Sequence, residues 1–513
     1  MNSKKWVTGT VALSMSLVTA ACTQTAGSTK ASSSAGSQTN GNLTVARALD
    51  AIDLSPDGSF LRSTDSQIVT LIADGLYRIN KDDQVEPAIA AAIPKVSDDQ
   101  LSWTIALKPG TKFSNGASIT SADVKFSLDN AKKGNQQGKL FQSIASIDTP
   151  DAQTVVIHTA TKDATLLWKL ATVPAVILPN NFNGVPEKTF YQQPVGAGAF
   201  KIAERKPSVD LKLVRNPSYY GTKANLASIT FLPVKDPNTR VLRLRAGNVD
   251  MIEDPPTQQV AQLRDGSSFQ IVSLPVGAMR LGLNTTKAPL NDLHVRRAIS
   301  LALDRTSMVK AALGGNGTIA CSWISPTVLR GHKPAFGCTT NLAEANNEMA
   351  KSAHAQGATF TLVYDSADSQ MPLTAQIIQS DLAKINIKVE LDGTTNQLYK
   401  AALANKTFQG RFSLFATPGD PGLSVSNYIA TDAESTSSPM LSVITGEYAH
   451  AAATFDETAR FAIYYTIMDQ IAENGDAIGL YNPNKLWAST TKVTGASVLP
   501  TNKLNFTDIS ISK

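Results

Sequence analysis

Residues 359–391 read TFTLVYDSADSQMPLTAQIIQSDLAKINIKVEL. The opening TFTLVYD predicts a strand. PLTAQIIQSDLAKIN predicts a helix with Leu373, Ile377, Ile378 and Leu382 turned inward, and IKVEL predicts a second strand. A strand, a crossover helix and a strand make a βαβ unit, which places the two strands parallel in one sheet. The fold class expected from it is α/β.

Working outward, the pattern before residue 285 is mostly short strands and turns. In Leu101–Lys133, Trp103, Ile105 and Leu107 alternate with Ser102, Thr104 and Lys108, the signature of a half-buried strand. Pro109-Gly110 turns the chain. Thr120 or Ser121 then caps a predicted helix carrying Val124, Phe126 and Leu128. After residue 285 a helix is predicted with Asp292 as its N-cap. Val295, Ala298, Ile299, Ala302 and Leu303 share its inner face.

The first residues carry Lys4 and Lys5, followed by the short apolar run Trp6–Ala21. That run is shorter and more polar than the roughly 20 apolar residues a membrane span takes, and it reads as an export signal. Thr19-Ala20-Ala21-Cys22 resembles the lipobox of bacterial lipoproteins, with Thr19 where Leu is usual. The resemblance implies cleavage before Cys22, diacylation of its thiol and a lipid anchor on the extracytoplasmic side of the cell membrane. Residues 22–42 are poor in large apolar side chains and are expected to form a flexible tether. The remaining body is long enough for two or three domains. The formal net charge is +5 with no basic stripe, so no nucleic-acid footprint is present. Cys321 and Cys338 flank a Pro- and Gly-containing loop. Outside the cytoplasm such a pair is expected to form a disulfide. The five histidines show no paired ligand spacing, so neither a metal site nor a cofactor is expected. The absence of HExxH, GxSxG or a Ser/His/Asp series argues against an enzyme.

Seven segments in order carry a wider resemblance. Among them are SWTIALKPGTKFSNGASITSADVKFSL (102–128), PVGAGAFKI (194–202), LNTTKAPLNDLHVRRAISLALDR (283–305) and AIGLYNPNKLWAS (477–489). The chain resembles the extracellular solute-binding proteins of ABC importers, in the class that handles oligopeptides, dipeptides and nickel complexes. The resemblance implies a two-lobed periplasmic-binding-protein-like fold with a hinge and an extra subdomain in the first lobe. The expected division is a signal peptide (1–21), a tether (22–42), a main subdomain of the first lobe (43–65, 192–283 and 488–513), the extra subdomain (66–191) and a second lobe (284–487). The implied function is capture of a small solute, a peptide being favoured, by a monomeric receptor that delivers it to permease subunits. A sugar, a metal chelate, or a sensor or adhesin role are the alternatives.

The resemblance directs attention to three loops. The first, ALDAIDLSPDGSF (48–60), offers Asp53, Leu54 and Ser55, with turn-capping as the other role for Asp53. The return crossover offers Tyr481 and Trp487, which either pack on solute or wedge the hinge. The third loop is RFSLFATPGDPGLSVSNYI (411–429). Many peptide-binding relatives have Trp-x-Gly-Asp-x-x-Asp-Pro here, and the earlier Asp meets the peptide ammonium. Aligning on Asp420-Pro421 puts Thr417 at that Asp and Ala416 at the Gly. Phe415, Ala416, Thr417 and Asp420 are therefore candidate contacts. Asp420, Asp365 and Asp53 are the acids that could replace the missing one, since a buried ammonium needs a partner.

Overall fold

The computed structural model describes residues 41–512, apart from 61, 265, 276, 416–418 and 432–437. The signal segment, Cys22 and nearly all of the tether lie outside the described residues, as do Ala416 and Thr417.

The βαβ unit is present. Ala358–Asp365 and Ile387–Thr394 run parallel, with Thr359 opposite Lys388, and the helix Met371–Ala383 crosses between them. Ile378 and Leu382 are fully buried and Ile377 partly so, but Leu373 is exposed. The buried stripe runs through Thr374, Ala375, Ile378 and Leu382, and Leu373 falls off it at helical spacing. The helix Leu293–Ala302 is capped by the Asp292 carboxylate, which accepts from His294 N at 2.8 Å; the five expected inner residues are all buried.

These elements belong to a twelve-stranded sheet. Its second-lobe half holds Ile387–Thr394, Ala358–Asp365, Gly410–Phe415 and Ala278–Leu283 in that order. Its first-lobe half holds Met251–Glu253, Asn42–Arg47, Ser228–Pro233, Asp210–Arg215 and Phe200–Lys206. The strand Ala477–Thr490 joins the halves. Its beginning pairs with Ala278–Leu283 in the second lobe. Its end pairs with Phe269–Pro275 and Met251–Glu253 in the first. Ala278–Leu283, which the expected division assigned to the first lobe, is thus hydrogen-bonded within the second-lobe half.

A separate four-stranded sheet is built from Lys95–Val96, Ser102–Ala106, Thr154–Thr159 and Ile144–Asp151. Trp103, Ile105 and Leu107 point into its core together with Val124 and Leu128 of the helix Ser121–Lys132. Thr120 caps that helix through a capping box, its backbone N–H donating to Asp123 at 2.7 Å. Two glycines fasten this subdomain to the first lobe. A Cβ on Gly196 would meet Ile72 O at 2.3 Å, and one on Gly198 would meet Leu71 O at 2.3 Å. Only Gly admits that approach of the segment leading into Phe200–Lys206 to the helix end. Cys321 and Cys338 are joined in a disulfide, with Cα atoms 4.6 Å apart.

Candidate functional site

The described residues of the two lobes enclose a cavity of about 1120 Å³. One wall is the helix Ser63–Ile72, which presents Ser66, Gln67 and Thr70. A second is the turn from Asp74 to Asp82, and a third is the C-terminal segment Leu499–Asp508. The second lobe closes it with Leu414, Phe415 and Asn427.

Polar groups around the space are held by defined partners. Asp74 accepts from Tyr220 Oη at 2.7 Å and from Tyr219 Oη at 3.1 Å. Burial pushes its carboxyl above the usual range, against the pull of Arg78 and the two tyrosine hydroxyls. Arg78 Nε is paired with Glu86 at 2.7 Å, and its Nη1 donates to Tyr219 Oη at 3.1 Å. The loop bearing Gln136 and Gln137 is fixed by Asp57, whose carboxylate accepts from their backbone N–H groups at 3.1 and 2.7 Å. The first loop therefore shapes the cavity through Asp57 and lines it with Phe60, while Asp53, Leu54 and Ser55 do not line it.

Those residues are distributed as follows. Phe415 lines the cavity and packs edge-on to Trp323, with ring centroids 5.1 Å apart. The Arg280 guanidinium lies 5.2 Å from both ring centroids and donates to Ser413 Oγ at 2.7 Å, so Phe415 is held from behind by a cation–π stack. The other described candidates sit away from the cavity wall. Asp53 accepts from Ser55 N at 2.9 Å, a turn-capping role, and Ser55 Oγ accepts from Gly58 N. Leu54 is in the first-lobe core. Asp365 accepts from Asn396 Nδ2 at 2.6 Å and Ala367 N at 3.0 Å. Asp420 is fully buried and paired with Arg460 at 3.0 Å. Tyr481 is in the second-lobe core with its hydroxyl 3.0 Å from Thr374 Oγ1, and Trp487 packs on Phe506 in the first-lobe core. Both aromatics flank the point where the long strand changes lobes. Among the described residues no group of three His, Cys, Asp or Glu side chains gathers as a metal site. None of their helices is long and apolar enough to cross a membrane.

The lobes touch in this structure. Leu423 of the second lobe is buried in the core of the small subdomain. Ala164 N donates to Ala452 O at 2.7 Å, and the Trp103 and Phe455 rings lie 5.7 Å apart. Trp168 packs over Gly419. Beside the Ala164 contact, Asp163 and Lys169 form a buried pair at 2.6 Å. Asp163 is held below the usual carboxylate range although burial works the other way, because Lys169, Ser143 and Thr165 all favour its charge.

Comparison with known proteins accords with this geometry. The family described as bacterial extracellular solute-binding proteins, family 5 Middle, matches residues 84–437. A probable D,D-dipeptide-binding periplasmic protein of Escherichia coli K12 is 28% identical over 349 residues, which is 65% of this chain and 63% of that protein. The match therefore spans less than two thirds of that relative's length. The nickel-binding periplasmic protein of the same organism is 26% identical over 436 residues, 78% of this chain and 82% of the relative. Among solved structures, the binding protein AgaA from A. tumefaciens R10, in complex with agropinic acid, superposes with a TM-score of 0.78. It is 26% identical and the match covers 92% of this chain and 99% of that one. With a family match over more than half of its length and the two-lobed fold in place, the chain belongs to the bacterial extracellular solute-binding proteins of family 5.

Proposed function

We propose that this chain is the substrate-binding receptor of an ABC importer, anchored by lipid at Cys22, which captures an oligopeptide or dipeptide between its lobes and delivers it to a permease. The observation that carries the reading is the cavity of about 1120 Å³ walled by both lobes. Small-molecule sites span roughly 300–1,000 Å³, so this volume suits an extended solute more than a single ion. Its lining of amides, hydroxyls and a few aromatic rings suits a peptide backbone. A ligand touching both lobes favours the joined arrangement by its differential affinity for it. The D,D-dipeptide relative supports a peptide. The nickel-binding relative supports a chelate less well, because none of the five histidines lines the cavity. Phe415 is the proposed contact from the second lobe. The tether would hold the receptor near its permease and raise its effective concentration there.

The test is a thermal-shift screen with di- to decapeptides, sugars and nickel chelates. Ligand at 100 times its dissociation constant adds about 2.7 kcal/mol. A shift with peptides is expected; a shift confined to sugars or chelates would overturn the peptide assignment. Release of the full-length protein from membranes by Cys22→Ser tests the anchor.

A further inference from the structure

The C-terminal hairpin carries a charge that the fold leaves uncompensated. Val498–Leu499 pairs with Lys503–Leu504, with Leu499 opposite Lys503, and Asn502 occupies the turn at φ 60°. Buried Gln67 clamps the hairpin onto the helix Ser63–Ile72. Its Nε2 donates to Leu504 O at 3.1 Å and its Oε1 accepts from Leu504 N at 2.7 Å. Leu504 and Phe506 are sunk in the first-lobe core, with Phe506 edge-on to Phe231 at 5.4 Å. The backbone at Lys503 is therefore rigid, and its side chain reaches the cavity from a fixed point.

The other charged groups lining the cavity are committed. Arg78 pairs with Glu86 at 2.7 Å, Lys81 with Asp82 at 3.7 Å, Asp508 accepts from Asn505 Nδ2 at 2.7 Å, and Asp74 holds its two tyrosine hydroxyls. The contact recorded for the Lys503 ammonium is a long one, 3.4 Å to Thr501 O, and no described carboxylate lies within ion-pair distance. Lys503 is half-buried, and its desolvation pushes the ammonium down to about 8 with no anion opposing the shift. Beside it, the Asn502 amide oxygen is buried without a hydrogen-bond partner and also lines the cavity. A fixed cation lacking its anion, next to an acceptor lacking its donor, is the complement of a carboxylate with an N–H close by.

We propose that Lys503 receives a carboxylate of the bound solute, with Asn502 accepting an adjacent N–H, so that the hairpin reads the C-terminal residue of a peptide with a free carboxyl group. This deepens the receptor reading given above and rests on it. An amidated or esterified C-terminus would leave the half-buried ammonium without an anion, so the hairpin would select for the free acid.

The experiment uses the mature chain and three probe sets: pooled di- to pentapeptides, the same pools C-terminally amidated, and non-peptide carboxylates such as succinate and citrate. Binding is read by thermal shift and calorimetry in wild type, Lys503→Met and Lys503→Arg. Free-acid peptides are expected to bind, amidated ones to bind roughly ten- to hundredfold more weakly, and Lys503→Met to lose the distinction while Lys503→Arg keeps it. Without ligand, Lys503→Met should melt no lower than wild type, since it removes an uncompensated charge; a purely structural lysine would give a lower melting point. Equal binding of free and amidated pools, or unchanged free-acid binding by Lys503→Met, would overturn the role of Lys503 and leave the peptide receptor standing. Binding of succinate or citrate alone, lost in Lys503→Met, would keep Lys503 as the anion site and overturn the peptide. No shift with any of the three would overturn both.

Discussion

Trp168 of the small subdomain lies so close over Gly419 of the second lobe that a Cβ added to Gly419 would meet Trp168 Cε3 at 2.6 Å. Gly419 also has φ +89°, in the region that L side chains rarely adopt. Gly419→Ala should therefore hold the lobes apart. Ligand affinity should fall about tenfold or more, the equivalent of roughly 1.4 kcal/mol or more. Small-angle scattering should give a larger radius of gyration than wild type under saturating ligand. Equal radii and equal affinity would show that this contact does not govern closure.

Asp83 faces the second lobe across the same seam, and one of its carboxylate oxygens is buried without a partner. Burial raises its pKa from 3.8 to about 6, against the pull of Arg330 and the Gly419 backbone. The folded state thus holds this proton more tightly than the unfolded chain. Its stabilising contribution is complete below pH 3.8 and is lost as pH rises through about 6. Asp83→Asn mimics the neutral acid, so the melting-point difference between variant and wild type should be small near pH 4 and widen in the variant's favour towards pH 7. A difference constant across that range would refute the assignment.

Asp420 and Arg460 form a buried pair at 3.0 Å, and Gly422 N donates to Asp420 Oδ1 at 2.8 Å. Removing one partner of such a pair strands the other charge at a cost of about 3–5 kcal/mol. Asp420→Ala should lower stability to urea by that order, even where peptide binding at saturating ligand persists. Loss of binding with unchanged stability would instead mark Asp420 as a solute contact.

The Cys321–Cys338 bridge links two residues 17 positions apart. In the chain-entropy model a loop of this size stabilises by about 3 kcal/mol. The Cys321→Ser/Cys338→Ser double variant should unfold at lower denaturant by that amount, and reducing agent should lower the wild-type midpoint to the same place. An unaffected midpoint would contradict this.

The elements were legible wherever a local pattern fixes them. Alternation marked Trp103, Ile105 and Leu107; helical spacing marked Val295 to Leu303; Asp292 and Thr120 announced their caps. Leu373 misled because one apolar residue beside a stripe does not reveal which face the stripe takes. The cavity was far less legible. Its walls come from residues hundreds apart, such as Gln67 and Leu504. Asp74 lies far in sequence from Tyr219 and Tyr220, and only folding brings the tyrosines onto the acid. Asp420 looked like a free acid because Arg460, its partner, is forty positions away on another element. Tyr481 and Trp487 carry the same residue types whether they face a solute or a core. Lys503 and Asn502 fall in residues 488–513, which the expected division places in the first lobe without any motif that marks a site.

The strand Ala477–Thr490 changes partners from Tyr481, opposite Met279, to Asn484, opposite Pro275. Gly317–Ile319 lies alongside that changeover, pairing with Tyr481 through Pro483. Any rocking of one half against the other must be taken up as torsion within those few peptide units, since the ladders on either side resist shear. Such a joint behaves as a short torsion spring. It admits a small angular excursion at the changeover while the pairing on either side stays in register.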